Sequence, residues 1–360
     1  MKKAPKQEVM SLVEAAERGD IIATLRAQIR EKEGLLRKYR EDRGGLIEVA
    51  RSIAEAVKAV SPYPAHKFKV PEHSSSEIVA VANISDLHVG EVTRPAETGG
   101  FGAFNHDIAQ ARFFSYVDSL IAWVTLNRRS YTIRELRILG IGDYVSGDIH
   151  AELKATNEFP LPVQTARSGA MIAEGVRRLA QHFERVVFEG VGADNHGRLQ
   201  PKPQAKQKAT NNMSYLVQAL VAAYLSDHKN VKLIQHEDMA PLVDIAGHGV
   251  IVTHGDTMKG VLGIPYYGME RAKSREASRR MLSRTAFSYM NIGHWHVPGL
   301  ISGNIIVNGS LSGTTEFDHS CGRHSDPCQV SYLMHPVHGM FNFTAWRFPV
   351  RKDETDAWRK

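Results

Sequence analysis

The strongest constraint on this chain is a repeated pairing. An apolar, β-branched run is followed at once by His, Asp or Asn. Ile78-Val79-Ala80-Val81 leads to Asp86-Leu87-His88, and Leu136 to Ile141 leads to Gly142-Asp143. Val186 to Val191 leads to Asn195-His196, and Val250-Ile251-Val252 leads to His254-Gly255-Asp256. A weaker run, Ser288 to Ile292, leads to Gly293-His294-Trp295-His296. Short apolar runs bounded by turn residues predict buried strands. Strands that each end in a polar, ligand-type residue predict one site at the edge of a sheet.

The chemistry of that site follows from residue type and spacing. Asp86 and His88 stand at i and i+2, so a strand would turn both to the same side. His294 and His296 repeat the spacing. Gly142 permits a tight turn that leaves the Asp143 carboxylate free to bridge two ions. Asn195 offers a neutral carbonyl oxygen, and His254 adds an imidazole. A set of His, carboxylate and amide groups without thiolates suits Mn, Fe or Zn better than Ca, Mg or Cu(I). Seven such groups suit two divalent ions, with Mn the first expectation. Two ions about 3.5–4 Å apart can clamp a phosphoryl group and activate a bridging hydroxide.

The strands alternate with predicted helices over Asn105 to Asn127, Val163 to Glu184, Thr210 to Ser226 and Gly268 to Arg284. Residues 303 to 349 alternate in the manner of β-structure. This order predicts an α/β domain with a β-rich C-terminal part. Four divisions are expected: a helical arm over 1–60, a Pro- and Ser-rich linker over 61–76, a compact domain over 77–349 and a charged tail over 350–360. In the arm, Ile22, Leu25, Ile29, Leu36, Tyr39, Leu46, Ala50, Ile53, Val57 and Val60 follow steps of three and four. Lys32 and Arg43 occupy seam positions, and Gly44-Gly45 interrupts the helix. The pattern reads either as a coiled coil that makes a homodimer or as an amphipathic helix lying on its own domain.

Composition excludes some classes. The chain has 360 residues, 42% of them hydrophobic, and a formal net charge of +6. No apolar run approaches the roughly 18 residues of a membrane span, and no apolar signal core follows the basic N-terminus. Two cysteines argue for a reducing compartment, so a cytoplasmic setting in a bacterial or phage-infected cell is expected. The positive charge leans toward polyanionic partners.

The ordered clusters Asp86-Leu87-His88, Gly142-Asp143, Asn195-His196, His254-Gly255 and Gly293-His294-Trp295-His296 resemble the calcineurin-like metallophosphoesterase superfamily. The resemblance spans residues 77 to about 310. It implies a four-layer α/β/β/α sandwich. It also implies that Asp86, His88 and His296 bind one metal, that Asn195, His254 and His294 bind the other, and that Asp143 bridges. His196 corresponds to the family's non-ligand histidine, which stabilises the transition state or protonates the leaving oxygen. The segment Ile84-Ser85-Asp86-Leu87-His88-Val89-Gly90 is similar to SbcD-like DNA repair nucleases and to the small subunit of archaeal DNA polymerase D. The chain departs from the family at Asp194-Asn195-His196-Gly197, where the acid that usually follows the histidine is missing. Asp194 and Asp256 are the candidates to orient His196 instead.

Three features bear on the substrate. Arg198, Lys202, Lys206 and Lys208 follow His196 without an intervening acid. Arg271, Lys273, Arg275, Arg279, Arg280 and Arg284 share one helix, and Glu276 is the single acid between the first and last of them. Tyr266 and Tyr267 precede that helix and could stack on bases. These groups read as contacts to a nucleic-acid backbone, or as a solvated basic face. The combined expectation is a dimetal phosphodiesterase, most specifically a DNA exo- or endonuclease. The alternatives are a phosphomonoesterase or protein phosphatase of the same superfamily, or a non-catalytic scaffold associated with a polymerase. A further cluster, His319, Cys321, His324 and Cys328, reads as a structural zinc site or as a plain loop with two free thiols.

Overall fold

A computed structural model describes residues 28–33, 77–260 and 265–356. The chain divides into two compact units, Met1–Val70 and Pro71–Lys360. Residues 28–33 are helical. The rest of the expected arm and the linker lie outside the described residues.

In the second unit, β1 (Val79–Ser85), β2 (Glu135–Gly142), β3 (Arg185–Val191) and β4 (Val231–His236) pair in parallel. β10 (Cys328–His335) and β11 (Gly339–Arg347) extend the other edge antiparallel, giving the order β11-β10-β1-β2-β3-β4. A second sheet has the order β5-β6-β7-β9-β8. Its strands are β5 (Leu242–Ile245), β6 (His248–Thr253), β7 (Tyr289–Ile292), β8 (Gly299–Ile301) and β9 (Ile305–Val307), with β6, β7 and β9 parallel.

The burial pattern sets the layers. β1 alternates its side chains. Ala80, Ala82 and Ile84 join one cluster with α1 (His106–Asn127), α3 (Leu161–Ala180) and α4 (Met213–Tyr224). Val81 joins a second cluster, between the sheets, with Leu139, Ile141, Val250, Val252, Ile306 and Tyr332. The far face of the second sheet buries Ile251, Met290, Ile292 and Ile305 against Met269 of α5 (Tyr266–Leu282). The result is the expected α/β/β/α sandwich. Both faces of the central strands are covered, which is why the runs of β1, β2 and β3 are near-continuously apolar.

Helix ends obey local chemistry. The Asn105 side chain accepts the amide hydrogen of Ile108 at 2.9 Å and caps α1 as its sequence position predicts. The Asn212 side chain caps α4 by accepting from Ser214 at 2.8 Å. α3 starts at Leu161 rather than Val163, because Pro162 in its first turn is pre-set for helical φ and needs no amide hydrogen. A short α2 (Ala151–Thr156) precedes it. α6 (Glu316–Ser320) carries a capping box from Thr315 to Asp318. The segment expected as a charged tail carries α7 (Lys352–Asp356). Its Glu354 is buried against Arg112 of α1 at 2.9 Å. No helix among the described residues is long and apolar enough to cross a membrane.

Candidate metal centre

β1, β2 and β3 of the first sheet and β6 and β7 of the second end at the same edge of the sandwich. Every strand-end cluster therefore projects into one place, the usual position of sites in open parallel sheets. Backbone bonds sew the clusters together. Asp86 N donates to Gly142 O at 3.0 Å, His88 N to Asp143 O at 3.1 Å, and Gly293 N to His254 O at 3.0 Å. The Asp86 carboxylate accepts the amide hydrogen of His294 at 2.9 Å, and that of Asp143 accepts from His196 at 3.0 Å.

The backbone itself marks the site. Asp86, His88, Asp143, His294 and His296 have φ of 53°, 45°, 50°, 66° and 57°. Side chains other than glycine rarely adopt this left-handed region, and each case costs about 1–2 kcal/mol. Such residues persist only where surrounding structure over-determines them, and they gather at functional sites. Here the turns after β1 and β7 bring the pairs Asp86/His88 and His294/His296 inward together. Gly142 has φ of 95°, and a Cβ there would lie 2.8 Å from Asp194 Oδ2. Glycine is thus required for Asp194 to reach the amide of Asp143.

The seven expected ligands converge. Asp86, His88 and His296 place ligand atoms within 4.8 Å of one another, as do Asp143, His254 and His294, and as do His88, Asp143 and His196. Asp143 therefore belongs to the second set and also reaches His88 of the first. Individual separations are His88 Nε2 to His296 Nε2, 3.1 Å, and His296 Nε2 to Asp86 Oδ1, 3.4 Å. His254 Nε2 lies 3.0 Å from Asp143 Oδ2 and 2.9 Å from Asn195 Oδ1. Atoms bound about 2.1 Å from one ion sit about 3.0–3.4 Å apart in octahedral or tetrahedral geometry. The donor set fits two small divalent ions on this measure.

The electrostatics ask for positive charge. Burial opposes ionisation of Asp143, but the charge of His254 and His196 and the hydrogen bond from His254 hold it well below the carboxylate range. Burial likewise opposes charge on Asp86, while the hydrogen bond and charge of His296 bring it down. Burial lowers the basicity of His254, but Asp143 and Asp86 raise it well above the usual imidazole value. His296 is raised in the same way by Asp86. His88 is driven well below its usual value by burial and by His196 and His296, and His294 falls to about 4 through burial and His254. Both are neutral imidazoles, the form that ligates metal.

Neighbouring groups fix these side chains. His254 Nδ1 donates to Ile141 O at 2.9 Å, which leaves Nε2 facing the ligand cluster. Ser85 Oγ donates to the Asp86 carboxylate and accepts from Asn308 Nδ2 at 2.8 Å. Buried His88 Nδ1 has Glu91 Oε2 at 3.5 Å, and burial lifts that carboxyl to about 7. Glu91 carries no motif signal, since only the turn after β1 brings it under His88.

The two candidates to orient His196 do other work. Asp194 accepts from Asp143 N at 2.8 Å, Gly197 N at 2.7 Å and Asn212 Nδ2 at 3.2 Å. Asp256 pairs with Lys208 at 3.6 Å. His196 Nδ1 instead meets the backbone carbonyl of Ser146 at 2.6 Å. A backbone acceptor has no residue-type signature, so sequence reasoning looked for an acid.

Arg198 and Lys202 line a cavity with Lys206, Lys208, Asp194 and Asp256. Arg198 donates to Gln200 O and Pro201 O, both at 3.0 Å, and so braces its own loop. Tyr266, Tyr267 and Arg271 are exposed on α5, which covers the outer face of the second sheet. No hydrogen bond or ion pair among the described residues joins them to the ligand cluster. Cys321 and Cys328 are free, one exposed and one buried, and burial pushes the Cys328 thiol up to about 12. His324 Nδ1 is engaged by Thr314 at 2.9 Å. Among the described residues, His319, Cys321, His324 and Cys328 do not form a ligand cluster.

No family model matches the chain, and no curated protein matches it. Among solved structures, Vacuolar Protein Sorting 29 from Cryptosporidium parvum aligns at 14% identity over 76% of this chain and 99% of that chain, with a TM-score of 0.27. A second structure aligns at 8% identity over 75% of this chain and 99% of that chain, with a TM-score of 0.33. Likeness at this level carries no functional argument. The class defined here rests on the chain's own geometry: an α/β/β/α sandwich with a dense candidate metal centre at its strand ends.

Proposed function

We propose that this chain is a dimetal phosphodiesterase of the calcineurin-like metallophosphoesterase superfamily, acting on nucleic acid and most specifically a DNA nuclease. One observation carries the reading. The expected ligands converge as an Asp86, His88 and His296 set and an Asp143, His254 and His294 set, with Asp143 also close to His88 and Asn195 against His254, and five of the seven adopt left-handed backbone to do so. Asp86, His88 and His296 would hold one ion, and Asn195, His254 and His294 the other. Bound divalent ions at such a centre neutralise phosphoryl oxygens and acidify water for in-line attack.

The chain's own residues supply the rest. Ser146 O holds Nδ1 of His196 and leaves Nε2 to serve the leaving oxygen. The His196 ring stands edge-on to His88 at 4.6 Å between centroids, so this group sits beside the ligands. Arg198, Lys202, Lys206 and Lys208 line one cavity together with Asp194 and Asp256, and these cations, which follow His196 in the chain, support a polyanionic substrate.

The test is incubation with Mn²⁺ and labelled single- and double-stranded DNA, beside a His196→Ala control and a phosphate monoester. Cleavage of DNA that the control loses by a factor on the order of 10² or more is expected. Release of phosphate from the monoester with intact DNA would replace this reading with a phosphomonoesterase.

A further inference from the structure

The group that orients His196 is one face of a peptide unit, and the other face of that unit is also held. The peptide between Ser146 and Gly147 accepts from His196 Nδ1 through its carbonyl at 2.6 Å. Its amide hydrogen points the opposite way and is accepted by Gln164 Oε1 at 2.9 Å. Gln164 is fully buried at the start of α3, and its Nε2 donates to Phe159 O at 2.8 Å. The chain is therefore continuous: imidazole N–H, peptide carbonyl, peptide N–H, glutamine amide, backbone carbonyl. Hydrogen bonds in series through a peptide polarise one another, so the carbonyl facing the imidazole is a stronger acceptor than an isolated one.

The surroundings allow this unit a single place. Asn157 Nδ2 donates to Gly147 O at 2.7 Å, and Ser168 Oγ donates to Tyr144 O at 2.9 Å. Gly147 has φ of 77°, and a Cβ there would lie 1.9 Å from His196 O. The two loops thus approach so closely that only glycine fits. Gly90 presses on Gln164 from the turn after β1, where a Cβ would lie 2.6 Å from Gln164 Cγ.

We infer that Gln164 is a positioning residue for the reaction, acting through the 146–147 peptide to hold His196 where it can protonate the leaving oxygen. This peptide–glutamine relay takes the place of a carboxylate partner. The inference rests on the proposed phosphodiesterase reading. The transferred proton goes from His196 Nε2 to the departing oxygen as the P–O bond breaks. Gln164 exchanges no proton.

The experiment uses the full chain with Mn²⁺ and two diesters. Bis(p-nitrophenyl) phosphate expels a phenolate that needs no protonation, whereas thymidylyl-thymidine expels an alkoxide that does. The readout is the ratio of kcat on the two substrates, which does not depend on how much of a preparation is folded. Gln164→Met keeps the side-chain length and removes the acceptor. It is expected to lower the dinucleotide-to-phenyl ratio about 10- to 100-fold. Gln164→Glu restores an acceptor for the Gly147 amide and is expected to recover most of that ratio. An unchanged ratio in Gln164→Met, or the same fall in Gln164→Glu, would overturn the inference. A wild-type chain that cleaves neither diester would instead remove the phosphodiesterase reading on which it stands.

Discussion

Asp194 shows how far a single side chain reaches into the centre. It touches no expected ligand atom, yet its carboxylate anchors the amides of Asp143 and Gly197. Burial and the charge of Asp143 lift it to about 6. An Asp194→Asn side chain keeps the shape and loses one acceptor. Its Mn²⁺ affinity should fall about 10- to 100-fold, as for other residues that hold a ligand in place; calorimetric titration would show it, and unchanged affinity would refute the role. The raised His254 and His296 give a pH signature. Their protonated forms stabilise the metal-free fold below about pH 6.5, and that contribution fades as pH climbs through their elevated folded values. Metal needs the same imidazoles deprotonated. The thermal shift produced by Mn²⁺ should therefore grow from pH 6 to pH 8, and a flat response would contradict the assignment. The ligands were legible because each is a chemically distinctive residue at the end of an apolar run. Ser146 was not, because its contribution is a carbonyl that every residue possesses. Glu91 and Asn308 were not, because only the folded turns bring them beside His88 and Ser85.

At the scale of elements, the C-terminal segment does more than its composition suggests. Arg112 on α1 donates to Leu311 O at 2.7 Å and Ala103 O at 3.1 Å, and it pairs with Glu354 on α7 at 2.9 Å. Leu311 N in turn donates to Asp86 O at 3.0 Å. A buried ion pair thus ties α7 to the loop that backs the metal centre. Glu354→Ala leaves a buried guanidinium without its counter-charge and should destabilise the fold by about 3–5 kcal/mol. The double variant Arg112→Met with Glu354→Leu should regain much of that loss. Denaturant unfolding would measure both, and an unaltered midpoint in Glu354→Ala would remove the tie. The long strands and α1 were readable, because their apolar periodicity and the Asn105 cap agree. β4 and β5 were not, because one is a half-exposed strand with a mixed pattern and the other has four residues. The charged residues of 350–356 concealed a helix whose buried Glu354 pairs with one distant arginine.

Over the whole molecule, the segment that follows β3 lines a cavity with Arg198, Lys202, Lys206 and Lys208. We also propose that residues 1–60 pair two copies, since their apolar steps of three and four make a seam. Removal of that segment should reduce the mass by light scattering from dimer to monomer, and a dimer that survives would assign the arm another role. The central claim is that seven residues from five strand ends build one centre for two ions. Equilibrium dialysis against Mn²⁺ tests it most directly. Two equivalents should bind per chain, falling in Asp143→Ala, since Asp143 belongs to one ligand set and reaches His88 of the other. Absence of saturable binding, or full retention of both ions by Asp143→Ala, would contradict it.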